Sequence, residues 1–369
     1  MKTAVVGLGI GMAHAAAYLQ SAEAELIAVA DAWETRRSSV GGTFSQGSMS
    51  VLRPLFTEQQ ISSRWEDLGI KPCADIKDVA DNYEIELVSL CTPDYLHEKH
   101  AVLLLEAGKH LILEKPVALS MDGAERIRAA AAAAGKRVAV AYEFRLNPGT
   151  AALRNLIISG DLGKVKAFSL HHFRKPFRRD KWKKWIQSES KSGGLIVEET
   201  SHWFDLARFL TGGEFASVHS VGTGGIHQDF DFEDVAFCQG RFTNGSAWQI
   251  SHALTGFDFN LTIQVHGTKG TAWLGLKEEL YSSLDNGATD YWGVLSYAPL
   301  NSDPKDAVVR VWDSEAGEPE SIRDNVAAIV NCFIKSRDFP TTLNDGVEAL
   351  RVALAARQSY KSGKVIKLA

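Results

Sequence analysis

The stretch Val5-Val6-Gly7-Leu8-Gly9-Ile10-Gly11-Met12-Ala13-His14 decides the fold. An apolar strand runs directly into a glycine-rich turn, and the turn opens a helix. One glycine permits the tight turn and another lets the backbone approach a pyrophosphate. The helix N-terminus adds N–H donors and the positive end of its dipole. Gly7, Gly9, Ile10, Gly11 and Met12 are therefore expected to hold a dinucleotide. The third glycine comes one position early, giving G-x-G-x-G in place of G-x-G-x-x-G. Asp31 ends the next apolar run, about 20 residues on, where an acid accepts hydrogen bonds from the adenosine ribose. Arg36 and Arg37 follow and could hold a 2′-phosphate. A carboxylate at Asp31 repels that phosphate, so NAD is expected, with NADP possible.

The pattern around this turn repeats. Leu26–Ala30, Leu87–Cys91, Leu111–Leu113 and Val138–Ala141 are short, continuously apolar runs separated by helical stretches. Such runs suit strands covered on both faces of a parallel sheet. Ser120 and Gly135 bracket one intervening helix as cap and stop. The expectation is a doubly wound Rossmann domain over 1–142. Beyond Pro148 the strands lengthen and alternate, at Val165–Leu170, Val235–Cys238, Ala247–Ile250 and Leu261–Val265. Helical patterns cover His202–Leu210 and Asp345–Tyr360. This predicts an α+β domain over 143–369, built on a large, mostly antiparallel open sheet.

Composition excludes several classes. The 369 residues exceed one domain at roughly 150 residues each. With 45% hydrophobic and 23% charged residues, the chain is neither disordered nor fibrous. A net charge of −5 gives no general attraction to nucleic acid or anionic membrane. The basic stretch Arg174–Lys184, with Arg179, Lys181 and Trp182, reads as a solvated loop, a subunit contact or a cleft arm. No apolar run is long enough to span a membrane. Cys73, Cys91, Cys238 and Cys332 are far apart, which favours a reducing compartment without disulfides. Met1-Lys2 and Ala13-His14-Ala15 mimic a signal peptide, but Gly7, Gly9 and Gly11 interrupt the apolar region, so a cytoplasmic location is expected. The close pairs His97/His100 and His171/His172 lack a metal-binding context, and no metal is expected.

Two further motifs are more specific. Cys91-Thr92-Pro93-Asp94-Tyr95-Leu96-His97 ends one strand, and Gly108-Lys109-His110-Leu111-Ile112-Leu113-Glu114-Lys115-Pro116 closes the next. With Tyr142–Pro148, Ser192–His202 and a tail containing Ser359, Gly363 and Val365, the chain resembles the Gfo/Idh/MocA family of nicotinamide-dependent sugar oxidoreductases along essentially its whole length. The resemblance implies that Lys115 lies beside the nicotinamide and the substrate hydroxyl, with Glu114 next to it. It places Thr92, Pro93 and His97 near the cofactor. The family's D-x-G-x-H motif falls on Glu198, Thr200 and His202, so the acid is one methylene longer and the glycine is replaced. Four residues on a helical start put Glu198 and His202 on one face, where the carboxylate can orient the imidazole as a general base. Lys115, His202 and Glu198 are thus the catalytic candidates. Tyr142, Arg145 and Trp185 join them as substrate-binding candidates, Trp185 by stacking on a sugar face.

The expected activity is hydride transfer between nicotinamide and a sugar, polyol or sugar-derivative hydroxyl or carbonyl. An NAD-dependent glycosidase working through transient oxidation, a non-catalytic dinucleotide-sensing regulator and a dehydrogenase for an amino or imino compound remain alternatives. The partner is expected to be a small carbohydrate-type molecule, with the chain assembling as a homodimer or homotetramer.

Overall fold

The apolar runs of the N-terminal region form β1 (Lys2–Val6), β2 (Glu25–Ala30), β3 (Lys71–Cys73), β4 (Leu87–Leu90), β5 (His110–Glu114) and β6 (Val138–Ala141). The computed structural model describes residues 1–44, 49–174, 184–256, 259–277, 291–313 and 318–368. Among the described residues these six strands make one parallel sheet in the order β3-β2-β1-β4-β5-β6. The order reverses between β1 and β4, the switch point where open α/β sheets bind ligands at their carboxyl ends. β3 has no counterpart among the apolar runs. It is three residues long, contains Pro72 and lies at the sheet edge, where a missing N–H is tolerated.

The chain divides into two units. The first comprises Met1–Glu143, Arg178–Trp185 and Glu318–Leu350. A single cut after residue 142 therefore does not describe it, because a late segment returns to this unit. The reason is the helix Glu318–Ile334, which packs against the helix Gly11–Leu19. Its Ile322, Val326, Ile329, Val330 and Phe333 lie on one stripe at helical spacing. They join a core with Met12, Ala16, Val29 and Trp65.

The second unit comprises Phe144–Phe177, Ile186–Gly317 and Arg351–Ala369. Its strands are β7 (Val165–Phe173), β8 (Phe215–Gly224), β9 (Glu233–Phe242), β10 (Ala247–Ala253), β11 (Asn260–Gly267), β12 (Gly270–Lys277), β13 (Tyr291–Pro299), β14 (Val308–Asp313) and β15 (Ile366–Lys367). Among the described residues they form one sheet, ordered β14-β13-β12-β11-β7-β10-β9-β8-β15. Every neighbouring pair is antiparallel except β7 and β10, which run parallel. Period-2 alternation buries Phe168 and Leu170 of β7, Trp248 and Ile250 of β10, and Leu261, Ile263 and Val265 of β11. The helices Pro148–Ile158 and Thr200–Thr211 pack on the sheet. Asn147 caps the former, its side chain accepting the Gly149 N–H at 2.9 Å, with Pro148 at the first helical position. No described helix is long and apolar enough to cross a membrane.

Candidate active site

In the first unit the residues expected at the cofactor gather at the carboxyl ends of β1, β2, β4 and β5. Gly7 has φ +94°, and a Cβ there would stand 2.3 Å from the Cys91 carbonyl oxygen, so no side chain fits the turn. At Gly11 a Cβ would meet Val5 Cγ1 at 2.8 Å, so the glycine lets the helix lie close on β1. At Gly9 the nearest atom to a Cβ would be Arg36 Nη1 at 3.7 Å. The missing side chain there leaves the backbone open to a phosphate. These three positions meet the requirements of a pyrophosphate turn, the early third glycine included. The N–H groups of Gly9, Ile10 and Gly11 stand at the positive end of the helix Gly11–Leu19. Met12 contributes differently from Gly9: its N–H closes the first turn on Gly9 O at 3.2 Å and its side chain is in the core.

Asp31 ties the turn to β2. Its Oδ2 accepts the Leu8 N–H at 2.8 Å and its Oδ1 accepts the Trp33 N–H at 2.8 Å. A carboxylate offers about four lone-pair positions, so acceptor capacity remains for a ribose. Arg36 is buried with Nη1 3.6 Å from Asp31 Oδ2. Arg37 donates to the carbonyls of Asp31 and Ala32. Both guanidinium groups are engaged with Asp31 or its neighbours.

The turns bearing Thr92 and Lys115 are held together by His97. Its Nδ1 lies 2.7 Å from Pro116 O and its Nε2 lies 2.7 Å from Thr92 O. Burial lowers the pKa of this imidazole despite the two carbonyls, so the neutral ring donates its one N–H to one carbonyl and packs against the other. His97, expected beside the cofactor, therefore fixes the two turns that bear Thr92 and Lys115. His100 adds a contact from Nδ1 to Thr92 Oγ1 at 3.2 Å, and burial pushes its pKa down to about 4.

Glu114 is buried at the end of β5 and sits between two partners. Its Oε2 accepts the Lys115 N–H at 3.2 Å, and its Oε1 lies 3.0 Å from His14 Nε2. His14 Nδ1 reaches Ser89 Oγ at 2.9 Å, which Tyr18 OH meets at 2.7 Å. Burial raises the pKa of Tyr18, which keeps its proton. The chain Tyr18–Ser89–His14–Glu114 thus anchors the backbone of the half-buried Lys115. His14, Tyr18 and Ser89 were not among the residues expected at the site. The available signal was polar side chains at i and i+4 of an otherwise apolar first helix, facing a serine in an apolar strand. Tyr142, expected at the substrate, is buried just beyond β6.

In the second unit Gly193 (φ +85°) and Gly194 (φ +75°) turn the chain from the helix Glu189–Ser192 into the helix Gly194–Glu198. The expected single helical start is corrected here. Gly194–Glu198 and Thr200–Thr211 are separate helices meeting at Glu199, so Glu198 ends one and His202 lies in the first turn of the other. Both are buried. The His202 ring meets Phe144 edge-on at 5.8 Å and lies 5.7 Å from Trp203. Arg145 is directed at Asp205, with Nε 2.7 Å from Oδ2, and stacks over Phe209. The replacement of the family's glycine by Thr200 has a visible use. Its hydroxyl donates to Leu195 O at 3.1 Å and meets His252 Nδ1 at 3.0 Å. Burial, with His252 beside it, also holds the pKa of His172 well below the ordinary value. Trp185, which belongs to the first unit, is half-buried in the turn Lys184–Gln187, while Arg179, Lys181 and Trp182 lie outside the described residues.

Known proteins share both units. The family model described as "Oxidoreductase family, NAD-binding Rossmann fold" matches residues 1–142, and "Oxidoreductase family, C-terminal alpha/beta domain" matches residues 154–368. An inositol 2-dehydrogenase of Rhizobium meliloti (strain 1021) is 26% identical over 377 residues, covering 100% of this chain and 99% of the relative. A solved levoglucosan dehydrogenase in complex with NADH superposes with a TM-score of 0.77 at 20% identity, covering 100% of this chain and 99% of that one. An aldose-aldose oxidoreductase from Caulobacter crescentus, complexed with glycerol, gives 0.76 at 20% identity, covering 100% and 99%. At these identities the two structures establish the shared fold. Joined to the glycine turn, the E-K-P turn and the two domain matches, they lead to one assignment: the chain belongs to the Gfo/Idh/MocA oxidoreductase family and carries an NAD-binding Rossmann domain.

Proposed function

We propose that the protein interconverts a hydroxyl and a carbonyl on a sugar, polyol or sugar derivative, using NAD in preference to NADP. The observation that carries this reading is the anchoring of Lys115, whose turn is fixed by Glu114 from one side and by His97 from the other. A lysine held at the carboxyl end of a strand near the switch point is positioned for a ligand in the crevice. The nicotinamide, when bound, supplies the hydride chemistry. Lys115 is assigned to the substrate oxygen, and His202 to its proton as general base, with Glu198 orienting the ring. Asp31 is assigned to the adenosine ribose, with Arg36 leaning over it. Tyr142, Arg145 and Trp185 are assigned to the substrate side, Arg145 through the packing of its neighbour Phe144 against His202. The inositol, levoglucosan and aldose named for the relatives support a carbohydrate-type substrate.

The test is a panel of polyols, aldoses, sugar acids and glycosides, followed by NADH absorbance. At least one is expected to give sustained cofactor reduction, with NAD bound at least about tenfold more tightly than NADP, or about 1.4 kcal/mol. Release of free sugar or aglycone without net NADH would replace this reading with the glycosidase. Tight NAD binding with no turnover on any compound would replace it with the sensor.

We also propose a homodimer or homotetramer. The nine-stranded sheet exposes Val221, Phe237, Trp273, Val309 and Val311 from β8, β9, β12 and β14. Aligned apolar side chains on a sheet are a surface that a second copy can cover. Light scattering should give twice or four times the chain mass, and a monomer at micromolar concentration would sink the proposal.

A further inference from the structure

β7 and β10 run side by side in parallel, and their register sets His172 opposite His252. Both side chains are buried, with ring centroids 4.7 Å apart. Their neighbours at alternate positions on these strands are Leu170 and Ile250, so apolar packing alone would not select two imidazoles. Glu199, 6% exposed, enters from the junction of the two helices. One ligand-type atom from each of the three residues lies within 4.8 Å of the other two.

The hydrogen bonds determine which nitrogens face this point. His172 Nδ1 lies 2.9 Å from Asn260 O, which can only accept, so Nδ1 carries the proton and Nε2 of the neutral ring is a lone pair. That Nε2 has no hydrogen-bond partner among the described residues. Thr200 gives its one hydroxyl proton to Leu195 O, so it accepts from His252 Nδ1. The second ring therefore also has its lone pair on Nε2, 4.0 Å from Glu199 Oε2. Two imidazole lone pairs and a carboxylate converge in a buried place. Among the described residues Arg174 reaches this cluster, with Nη1 3.0 Å from Glu199 Oε1.

We propose that His172 Nε2, His252 Nε2 and the Glu199 carboxylate form a binding site for a divalent transition-metal ion, zinc being the best suited. Two histidines and one carboxylate are a zinc donor set that leaves a fourth position for water or another oxygen. Ring N–H groups donating to a carbonyl and to a hydroxyl are the outer contacts that orient metal-binding histidines. Bonds of about 2.0–2.2 Å require the donors to draw together, and require Arg174 to release part of its hold on Glu199. Arg174 is the more exposed partner of that ion pair, its side chain 27% exposed against 8% for Glu199. The inference does not rest on the proposed dehydrogenase activity.

The full-length protein, stripped with a chelator and dialysed, is titrated with Co2+ as a spectroscopic probe and with Zn2+ for elemental analysis. One ion per chain is expected, with visible cobalt bands of histidine coordination at low coordination number. His172→Gln and His252→Gln should each weaken zinc binding by more than tenfold. Thr200→Val, which removes only the outer contact, should weaken it by about 10–100-fold. Arg174→Gln should tighten it, because a competing cation is gone; an ion pair of purely structural use would give no such gain. Circular dichroism establishes that each variant is folded. If a histidine variant does not fold, the wild-type cobalt spectrum decides. An aquated-cobalt spectrum, sub-stoichiometric zinc, or unchanged binding in folded His172→Gln and His252→Gln would each overturn the proposal.

Discussion

Lys115→Ala and His202→Ala are each expected to lower turnover by about 10²–10⁴-fold, the range for a positioned acid–base group. The two variants should differ in what else they change. Lys115 shares its turn with Glu114, so its loss should also weaken NAD binding modestly, whereas His202→Ala should leave NAD affinity nearly unchanged, because His202 belongs to the other unit. Glu198→Gln should cost less than His202→Ala, since it removes charge while keeping a group that can accept a hydrogen bond. The measurement is kcat and KM on the best compound of the substrate panel, with NAD affinity titrated separately. Near-normal turnover in a folded His202→Ala that binds NAD would leave Lys115 as the remaining acid–base candidate. Near-normal turnover in Lys115→Ala would remove the central assignment.

The parts of this site that were legible in the sequence share a physical character. They are local: a strand, a turn and a helix start, where residue type and spacing alone set the chemistry. Gly7, Gly9 and Gly11 were readable because only glycine fits such a turn, and Asp31 because it ends the following apolar run. The Thr92-Pro93 and Glu114-Lys115-Pro116 turns stood out as strand ends, and the family resemblance supplied their expected roles. The remainder depends on tertiary register. His14 reaches Glu114 across a hundred residues, and Ser89 looked like one more member of an apolar strand. His172 and His252 are 80 residues apart and meet only because β7 and β10 pair in parallel, whereas metal spacing rules look for ligands close in sequence. The helix Glu318–Ile334 was assigned by position to the second domain. Its apolar stripe is amphipathic in either place, and the core it completes is visible only in three dimensions.

The largest expected effect on stability lies at Arg145 and Asp205, not at a catalytic residue. Arg145 was expected to touch substrate, but its side chain is 7% exposed and faces the carboxylate of Asp205, itself 1% exposed. A bidentate pair this deeply buried gains little over two apolar residues, yet removing one partner takes two charge-assisted hydrogen bonds from a desolvated charge. Asp205→Ala should therefore destabilise the second unit by about 3–5 kcal/mol. Urea denaturation followed by tryptophan fluorescence measures this, since Trp203 and Trp248 are buried in that unit. The paired change Arg145→Met with Asp205→Leu should recover most of the loss, because neither member of the pair is then left charged. If Asp205→Ala cost less than about 1 kcal/mol, the value of an exposed pair, the ion pair would not hold the second unit together. In that case Arg145 would again be available to the substrate, and its substitution should raise KM without lowering stability. The pair's stability effect and Arg145's proposed place on the substrate side are coupled through Phe144, the neighbour of Arg145 whose ring packs edge-on against His202. A residual folded population of Asp205→Ala should accordingly show reduced kcat as well, while Arg145→Met with Asp205→Leu should restore both.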